Sequence, residues 1–152
     1  MDSLITEKRD AIGHITFNDP ARLNAMSYDM WVGLTEALAE FEADDEVRAV
    51  VLTGAGDKAF VSGANIAQFE KLRTTTDAVA QYEQAAEGAQ EALFQFPKPT
   101  IARIQGYCIG GGLNLALCCD VRIAKEGSTF FLPAGKMGLG YRFSAVRNLV
   151  TA

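Results

Sequence analysis

Two segments of this sequence place small residues where a strand or turn leads into a helix. They are Ser62-Gly63-Ala64-Asn65 and Gly110-Gly111-Gly112. Small side chains let another molecule come close to the main chain, and the first N–H groups of a helix have no partner within it. N–H groups from two such places, directed at one point, form an oxyanion hole that stabilises an enolate or tetrahedral oxyanion. The alternative is that the triple glycine only allows a helix and a strand to pack closely.

Phosphate and metal sites of known pattern do not fit the sequence. Gly54-Ala55-Gly56 lacks the third glycine of a dinucleotide fingerprint, and there is no Gly-Lys-Ser/Thr. The cysteines Cys108, Cys118 and Cys119 have no CxxC or CxxH spacing. We interpret them as small, reduced core residues, which predicts a cytoplasmic protein with no disulfide and no metal site.

Composition predicts one globular domain over residues 1–152. The chain is 49% hydrophobic and 22% charged, and its formal net charge is −5. This acidic balance disfavours a nucleic acid or an anionic membrane as partner. No apolar run approaches the ~20 residues of a membrane span.

Hydrophobic periodicity predicts a mixed α/β fold in the order β, β, α, β, α, β, α, β, β. A hairpin is expected over 4–17, and Ser27 is the expected N-cap of a helix reaching Asp44. The other predicted elements are strands over 47–53, 58–66, 100–104, 121–124 and 129–132, helices over 77–96 and 113–119, and a glycine turn over 106–112. Apolar residues at helical spacing are expected to face inward: Met30, Trp31, Leu34, Leu38 and Phe41 in the first helix, and Val79, Tyr82, Ala86, Leu93 and Phe94 in the second. The stretch Arg142–Ala152 resembles the start of a helix that stops, with Phe143, Val146, Leu149 and Val150 on one side, from which we expect a truncated chain.

Three blocks of the sequence resemble the enoyl-CoA hydratase/isomerase (crotonase) superfamily. They are Arg22-Leu23-Asn24-Ala25-Met26, the segment from Lys58 to Ile66, and Gln105 to Gly112 with Asp120 eight residues on. The blocks have the family's order and spacing, and the resemblance covers the whole chain. It implies a spiral core of ββα units (ClpP/crotonase fold) without the C-terminal helical region. It also implies a homo-oligomer, since the full-length relatives are trimers or hexamers.

The resemblance assigns roles by position. Ala64 and Gly111 would donate the two oxyanion-hole N–H groups to the thioester carbonyl of an acyl-CoA, an activity of fatty acid metabolism. No separate cofactor is implied, because coenzyme A is part of the substrate. The implied substrate-binding residues are Arg22, Leu23, Ala25, Ser62, Gly63, Asn65, Ile66, Ala67, Gly110, Asn114 and Tyr141.

The sequence departs from the family where its hydratases carry two glutamates, because these positions are Asn114 and Ala134. Neither side chain transfers a proton at neutral pH, so the two-glutamate hydration mechanism is not expected. The first hypothesis is an enzyme, a lyase or isomerase, whose acid or base is unassigned; decarboxylation would demand little base. The alternative is a non-catalytic acyl-CoA-binding pseudoenzyme. His14 and Asp120 are interpreted as structural residues, and Cys108 as inert packing.

Overall fold

The computed structural model describes residues 2–65, 76–137, 140–141 and 143–151. Within these ranges the order strand, strand, helix occurs four times. The strands are β1 (Leu4–Arg9), β2 (Ile12–Phe17), β3 (Ala49–Gly54), β4 (Ala59–Val61), β5 (Thr100–Ile104), β6 (Tyr107–Ile109), β7 (Val121–Ala124) and β8 (Thr129–Phe131). The α-helices are α1 (Tyr28–Ala43), α2 (Thr76–Phe94), α3 (Gly111–Cys118) and α4 (Phe143–Thr151), and 3-10 turns cover Pro20–Arg22 and Ala134–Met137.

In the described part of the chain, the strands form two sheets. The larger has the order β1-β2-β3-β5-β7 and the smaller the order β4-β6-β8. Strands β1 and β2 pair antiparallel, and the other pairs are parallel. From the second repeat onward, each repeat places its first strand in the larger sheet and its second in the smaller. The predicted spiral of ββα units is therefore confirmed.

Helix α1 shows how the sequence builds the core between the sheets. The Oγ of Ser27 accepts a hydrogen bond from Met30 N at 3.2 Å, which is the predicted N-cap. The predicted inward residues recur at helical spacing and are buried: Met30, Trp31, Leu34, Leu38 and Phe41. Phe17 of the larger sheet meets Phe60 of the smaller edge-to-face at 5.8 Å, so both sheets share one core.

The structure corrects four local expectations. Tyr107–Ile109, predicted as part of a glycine turn, is strand β6, and the strand predicted over 58–66 covers only Ala59–Val61. Phe94, predicted to face inward, is 42% exposed. The apolar side predicted for the last helix is exposed as well, because α4 turns Ala145 and Asn148 inward instead. Among the described residues, no helix has the length and apolarity needed to cross a lipid bilayer.

The consecutive glycines at the start of α3 differ in what surrounds them. A Cβ built on Gly112 would lie 2.2 Å from the carbonyl oxygen of Val61, whereas one on Gly111 would lie 3.9 Å from its nearest neighbour, Trp31. We predict that Gly112→Ala lowers the free energy of unfolding by about 2–3 kcal/mol. Gly111→Ala, the matched control, should leave it nearly unchanged. Urea denaturation of both variants measures this, and equal stabilities would contradict it.

The three thiols are buried, and burial sets their titration. Cys108 is fully buried, and its burial raises the pKa of its thiol to about 12. In the unfolded chain a thiol ionises near pH ~8.5. The native state therefore binds more protons than the unfolded state above that pH, and stability falls as pH rises.

We predict that burial of Cys108 costs the protein about 2 kcal/mol of stability between pH 7.5 and pH 10. Denaturant unfolding at the two pH values measures the fall for the native sequence and for Cys108→Ala. The fall should be smaller by that amount in the variant, and the same fall in both proteins would refute the prediction.

Candidate functional site

The carboxyl ends of three parallel strands meet at one edge of the smaller sheet. Strand β6 pairs with β4 on one side and with β8 on the other. Beyond the strand ends, Gly110 N donates to the carbonyl of Phe131 at 2.8 Å, and a Cβ built on Gly63 would lie 3.5 Å from the carbonyl oxygen of Ile109. The two small-residue segments are therefore neighbours in space. In α/β sheets this edge is where ligands commonly bind.

Ala64 is held in an extended conformation against Met26. Met26 N donates to the carbonyl of Gly63 at 2.8 Å, and Asn65 N donates to the carbonyl of Met26 at 2.9 Å. Because residues along a strand alternate in direction, the N–H of Ala64 points away from Met26. Among the described residues it has no hydrogen-bond acceptor, and Ala64 is exposed. This N–H is available to a ligand.

Gly111 is the first residue of α3, and its N–H has no acceptor inside the helix. No acceptor for it is found elsewhere in the described ranges either. The turn before it is made by Gly110, whose φ of 56° and ψ of −117° favour glycine. The positive end of the helix dipole adds to the attraction of an anion at this point.

The segment 22–26 runs beside 62–65, as the resemblance implies. Ser62 N donates to the carbonyl of Leu23 at 3.1 Å, and Ser62 Oγ donates to the carbonyl of Arg22 at 3.4 Å. Ala25 is buried, whereas the Arg22 side chain is 64% exposed and pairs with Asp19 at 3.1 Å. Ile66 and Ala67, the other residues assigned to this strip, lie outside the described residues.

Asn24 anchors this segment, a role that the sequence analysis missed. Its side chain is fully buried, and its Nδ2 donates to the carbonyls of Ala55 at 3.0 Å and Ala59 at 2.8 Å. Its Oδ1 accepts from Asp19 N at 3.0 Å, and its φ is 55°. The signal that could have indicated it is the residue type, since asparagine tolerates this left-handed backbone better than most residues.

Tyr82 braces the Ala64 strip from helix α2. Its hydroxyl donates to the carbonyl of Met26 at 3.0 Å and accepts from Trp31 Nε1 at 3.0 Å. The Met26 carbonyl also accepts from Asn65, so Tyr82 and the Ala64 strip are joined through one oxygen. Periodicity identified Tyr82 only as a core residue.

A cleft of about 260 Å³ lies between α2, α3 and α4. Asn114 lines it and is 8% exposed, and its Oδ1 has no hydrogen-bond partner. Tyr141 lines it as well; its hydroxyl lies 3.8 Å from a Cβ built on Gly110, and burial raises the pKa of its phenol. Helix α2 contributes a row of carboxylates at one-turn spacing, Glu83, Glu87 and Glu91, which the sequence analysis did not single out.

Three other residues discussed in the sequence analysis, Ala134, Asp120 and His14, are described by their packing, hydrogen bonds and distance from the cleft. Ala134 is buried at the start of its 3-10 turn, and Pro133 before it lies 3.8 Å from a Cβ built on Gly110. Asp120 Oδ2 accepts from the N and Oγ1 of Thr100, each at 2.8 Å, as a turn residue would. His14 lies within strand β2, whose partners are β1 and β3, and does not line the cleft.

Comparison with known proteins identifies the family. The family model of enoyl-CoA hydratase/isomerase matches residues 7–150. The short-chain-enoyl-CoA hydratase of Clostridium acetobutylicum is 33% identical over 149 residues, which cover 98% of this chain and 56% of that protein. The crotonyl-CoA hydratase of Syntrophomonas wolfei is 32% identical over 150 residues, covering 97% and 56%.

Solved structures show the same likeness. The enoyl-CoA hydratase/carnithine racemase of Magnetospirillum magneticum superposes with a TM-score of 0.92 at 36% identity, covering 99% of this chain and 57% of that one. DspI of Pseudomonas aeruginosa superposes with a TM-score of 0.88 at 33% identity, covering 98% and 56%. The chain spans about half the length of the curated relatives it matches. Because the family model and these relatives match almost the whole chain, this chain belongs to the enoyl-CoA hydratase/isomerase family.

Proposed function

We propose that this protein binds an acyl-CoA thioester and stabilises the enolate of its acyl group, as a lyase or isomerase. The observation that carries the proposal is the pair of unpartnered N–H groups of Ala64 and Gly111 beside the carboxyl ends of β4 and β6. Both belong to segments whose backbone is fixed by neighbouring hydrogen bonds, so they need little rearrangement to bind an oxyanion. Fixed donors of this kind stabilise a developing negative charge more than a neutral carbonyl.

In our proposal, segments 22–26 and 62–65, which lie beside this pair of N–H groups, bind the coenzyme A part of the substrate. The strip formed by 22–26 and 62–65 contains the small residues Ala25, Ser62 and Gly63, and we propose that their small side chains leave room for the thioester and its pantetheine arm. The guanidinium of Arg22 is exposed and its partner Asp19 is on the same short turn. We expect Arg22 to exchange this partner for a phosphate of coenzyme A. Gly110, Asn65 and Tyr141 border the acyl group in this proposal.

We propose further that the protein acts without a separate cofactor, in the cytoplasm and in fatty acid metabolism, as a homo-oligomer. Apolar residues on the outer face of the fold support association. Val121, Ile123 and Phe130 are 49%, 59% and 46% exposed, and an apolar patch of this kind favours burial against another surface.

The row of glutamates in the cleft favours some acyl groups over others. Like charges repel, so the three glutamates of α2 should disfavour binding of an acyl group that itself carries a carboxylate. This argues against the decarboxylation considered from the sequence. Isomerisation or hydration of a neutral acyl chain fits the charge of the cleft better.

The second candidate function is a non-catalytic acyl-CoA-binding protein. It is favoured by one observation, the absence of a carboxylate at both Asn114 and Ala134. In that case the N–H pair would hold the thioester carbonyl without any proton transfer.

The first test removes one N–H donor. Gly111→Pro deletes the N–H at the first helical position, where proline is tolerated, and Gly111→Ala retains it. We expect the proline variant to lose about 100- to 1,000-fold in acyl-CoA turnover and the alanine variant to stay near the native rate. Steady-state kinetics measures this, with circular dichroism to verify folding. Full activity in a folded Gly111→Pro protein would exclude Gly111 as a donor.

The second test separates the two functions. A panel of neutral acyl-CoA and enoyl-CoA thioesters is titrated by calorimetry and then incubated with the protein for mass spectrometry. We expect micromolar binding together with chemical conversion of at least one thioester. Binding without conversion would favour the non-catalytic protein, and absence of binding across the panel would exclude both functions.

A further inference from the structure

The indole of Trp31 lies between helix α2 and the first residue of α3. Trp31 is buried, and its Cζ2 lies 3.9 Å from a Cβ built on Gly111. Its Nε1 donates to Tyr82 Oη at 3.0 Å. Cζ2 and Nε1 are bonded to the same carbon of the indole ring, so one rigid edge of this ring faces both Gly111 and Tyr82.

The Tyr82 hydroxyl continues this connection to the segment that carries Ala64. It donates to the carbonyl of Met26 at 3.0 Å, and the same carbonyl accepts from Asn65 N at 2.9 Å. Met26 N donates to the carbonyl of Gly63 at 2.8 Å, so Met26 holds the chain on both sides of Ala64. The hydroxyl of Tyr82 therefore fixes the carbonyl against which Ala64 is aligned.

The two segments that carry the N–H donors also meet directly. A Cβ built on Gly110 would lie 3.9 Å from the Cα of Gly63. One contact of this kind sets a distance but leaves the two segments able to rotate about it. The path through Trp31 and Tyr82 is a second connection between them. The two connections together determine the distance between the segments and their relative orientation.

The polar ends of these two aromatic side chains make the second connection precise. Apolar side chains could also fill the space, but they could not make the hydrogen bonds. Hydrogen bonds prefer a narrow range of distance and angle, and burial makes them stronger than they are in water. Tyrosine and tryptophan each have only two side-chain torsions, so Trp31 and Tyr82 retain little freedom once their polar ends are paired.

An oxyanion site depends on this kind of precision. Its donors are effective at about 2.7–3.1 Å from the position of the oxyanion, and a misplacement of about 1 Å can cost about 100-fold in rate. The N–H groups of Ala64 and Gly111 come from separate elements, so their common direction depends on contacts between those elements.

We propose that the Trp31–Tyr82 pair positions the N–H groups of Ala64 and Gly111 for the thioester oxygen; this inference rests on the proposed function. Tyr82 is then a positioning residue, which acts through the Met26 carbonyl and transfers no proton itself. Burial raises the pKa of its phenol, so the hydroxyl keeps its proton, and its hydrogen bond to Met26, at neutral pH.

The experiment measures how strongly the site polarises the carbonyl of a bound thioester. Butyryl-CoA carrying ¹³C at the thioester carbonyl is added to the purified protein, and its C=O stretching frequency is recorded by infrared difference spectroscopy. Hydrogen bonds from the two N–H groups lower this frequency relative to free butyryl-CoA. Tyr82→Phe keeps the ring but removes the hydroxyl and its bonds to Trp31 and Met26. We expect a smaller shift in this variant than in the native sequence.

Affinity and turnover are measured on the same variant. Butyryl-CoA affinity, from calorimetry, should stay within about threefold of the native value, since the pair acts mainly on the charged state of the oxygen. For a thioester that the protein converts, kcat should fall about 10- to 100-fold in Tyr82→Phe, with KM nearly unchanged.

Two further variants separate positioning from stability. Leu38→Val removes packing from the same buried side of α1, about two turns beyond Trp31, and should lower stability in urea without changing the carbonyl frequency. Trp31→Phe removes the indole N–H, and we expect it to reduce the shift as Tyr82→Phe does. It also tests the pair independently of the folding of Tyr82→Phe.

The outcomes distinguish this inference from the proposed function. The native frequency in either Tyr82→Phe or Trp31→Phe, or an equal change in Leu38→Val, would overturn the positioning role and leave acyl-CoA binding intact. If butyryl-CoA bound to the native sequence keeps the frequency of free butyryl-CoA, the thioester does not meet the N–H pair, and the positioning role is excluded as well. If butyryl-CoA and the other thioesters do not bind at all, the proposed function fails and this inference fails with it.

Discussion

Two hydrogen bonds between Met26 and the residues on either side of Ala64 are the constraint on which the candidate site depends. They align the segment after the first hairpin with the segment after β4, and they leave the Ala64 N–H directed away from its partner strand. The Met26 carbonyl also accepts from Tyr82, which ties α2 to the same point. A shift of one residue in this alignment would turn the Ala64 N–H toward Met26 and remove it from the site.

Gly110, the N-cap of α3, and Gly111 and Gly112, its first two residues, have different physical functions. Gly110 adopts a left-handed backbone, and Gly112 lies too close to the Val61 carbonyl to accept a side chain. Gly111 has neither constraint, since a Cβ there would make only an ordinary contact with Trp31. Close packing, the alternative considered from the sequence, therefore explains Gly112. It does not explain Gly111, whose N–H, without an acceptor among the described residues, is the feature of interest in the proposed chemistry.

The polar side chains that line the cleft differ from those that the family resemblance implies. Asn114 and Ala134, the positions that the resemblance matches to glutamates, carry an amide and a methyl group. Three glutamates of α2 line the same cleft as Asn114. The two N–H donors of the proposed site belong to the backbone, so they do not depend on the side chains at positions 114 and 134.

The local sequence pattern was sufficient to predict the elements whose residues interact with neighbours only a few positions away. The Ser27 cap, the buried face of α1 and the β1–β2 hairpin follow from side-chain periodicity, which acts over short distances. The three family blocks also pointed to segments that the fold brings together, although their roles remain proposals. Strand β6 escaped prediction because three residues between glycines are too few for a period to be visible.

Contacts between distant parts of the chain decided the rest. Phe94 and the apolar side of α4 have the periodicity of core residues but are exposed. In α4 the buried residues are Ala145 and Asn148, and the Asn148 amide contacts Cys118 Sγ of α3. The buried role of Asn24 and the bracing by Tyr82 depend on partners more than thirty residues away. In the sequence alone, the glutamates of α2 have the pattern of a solvated helix face. In the structure they line the same cleft as Asn114 of α3. The sequence thus determined which residues could form helices and strands, and only the tertiary structure determined which polar groups face one another, because that depends on packing between separate elements.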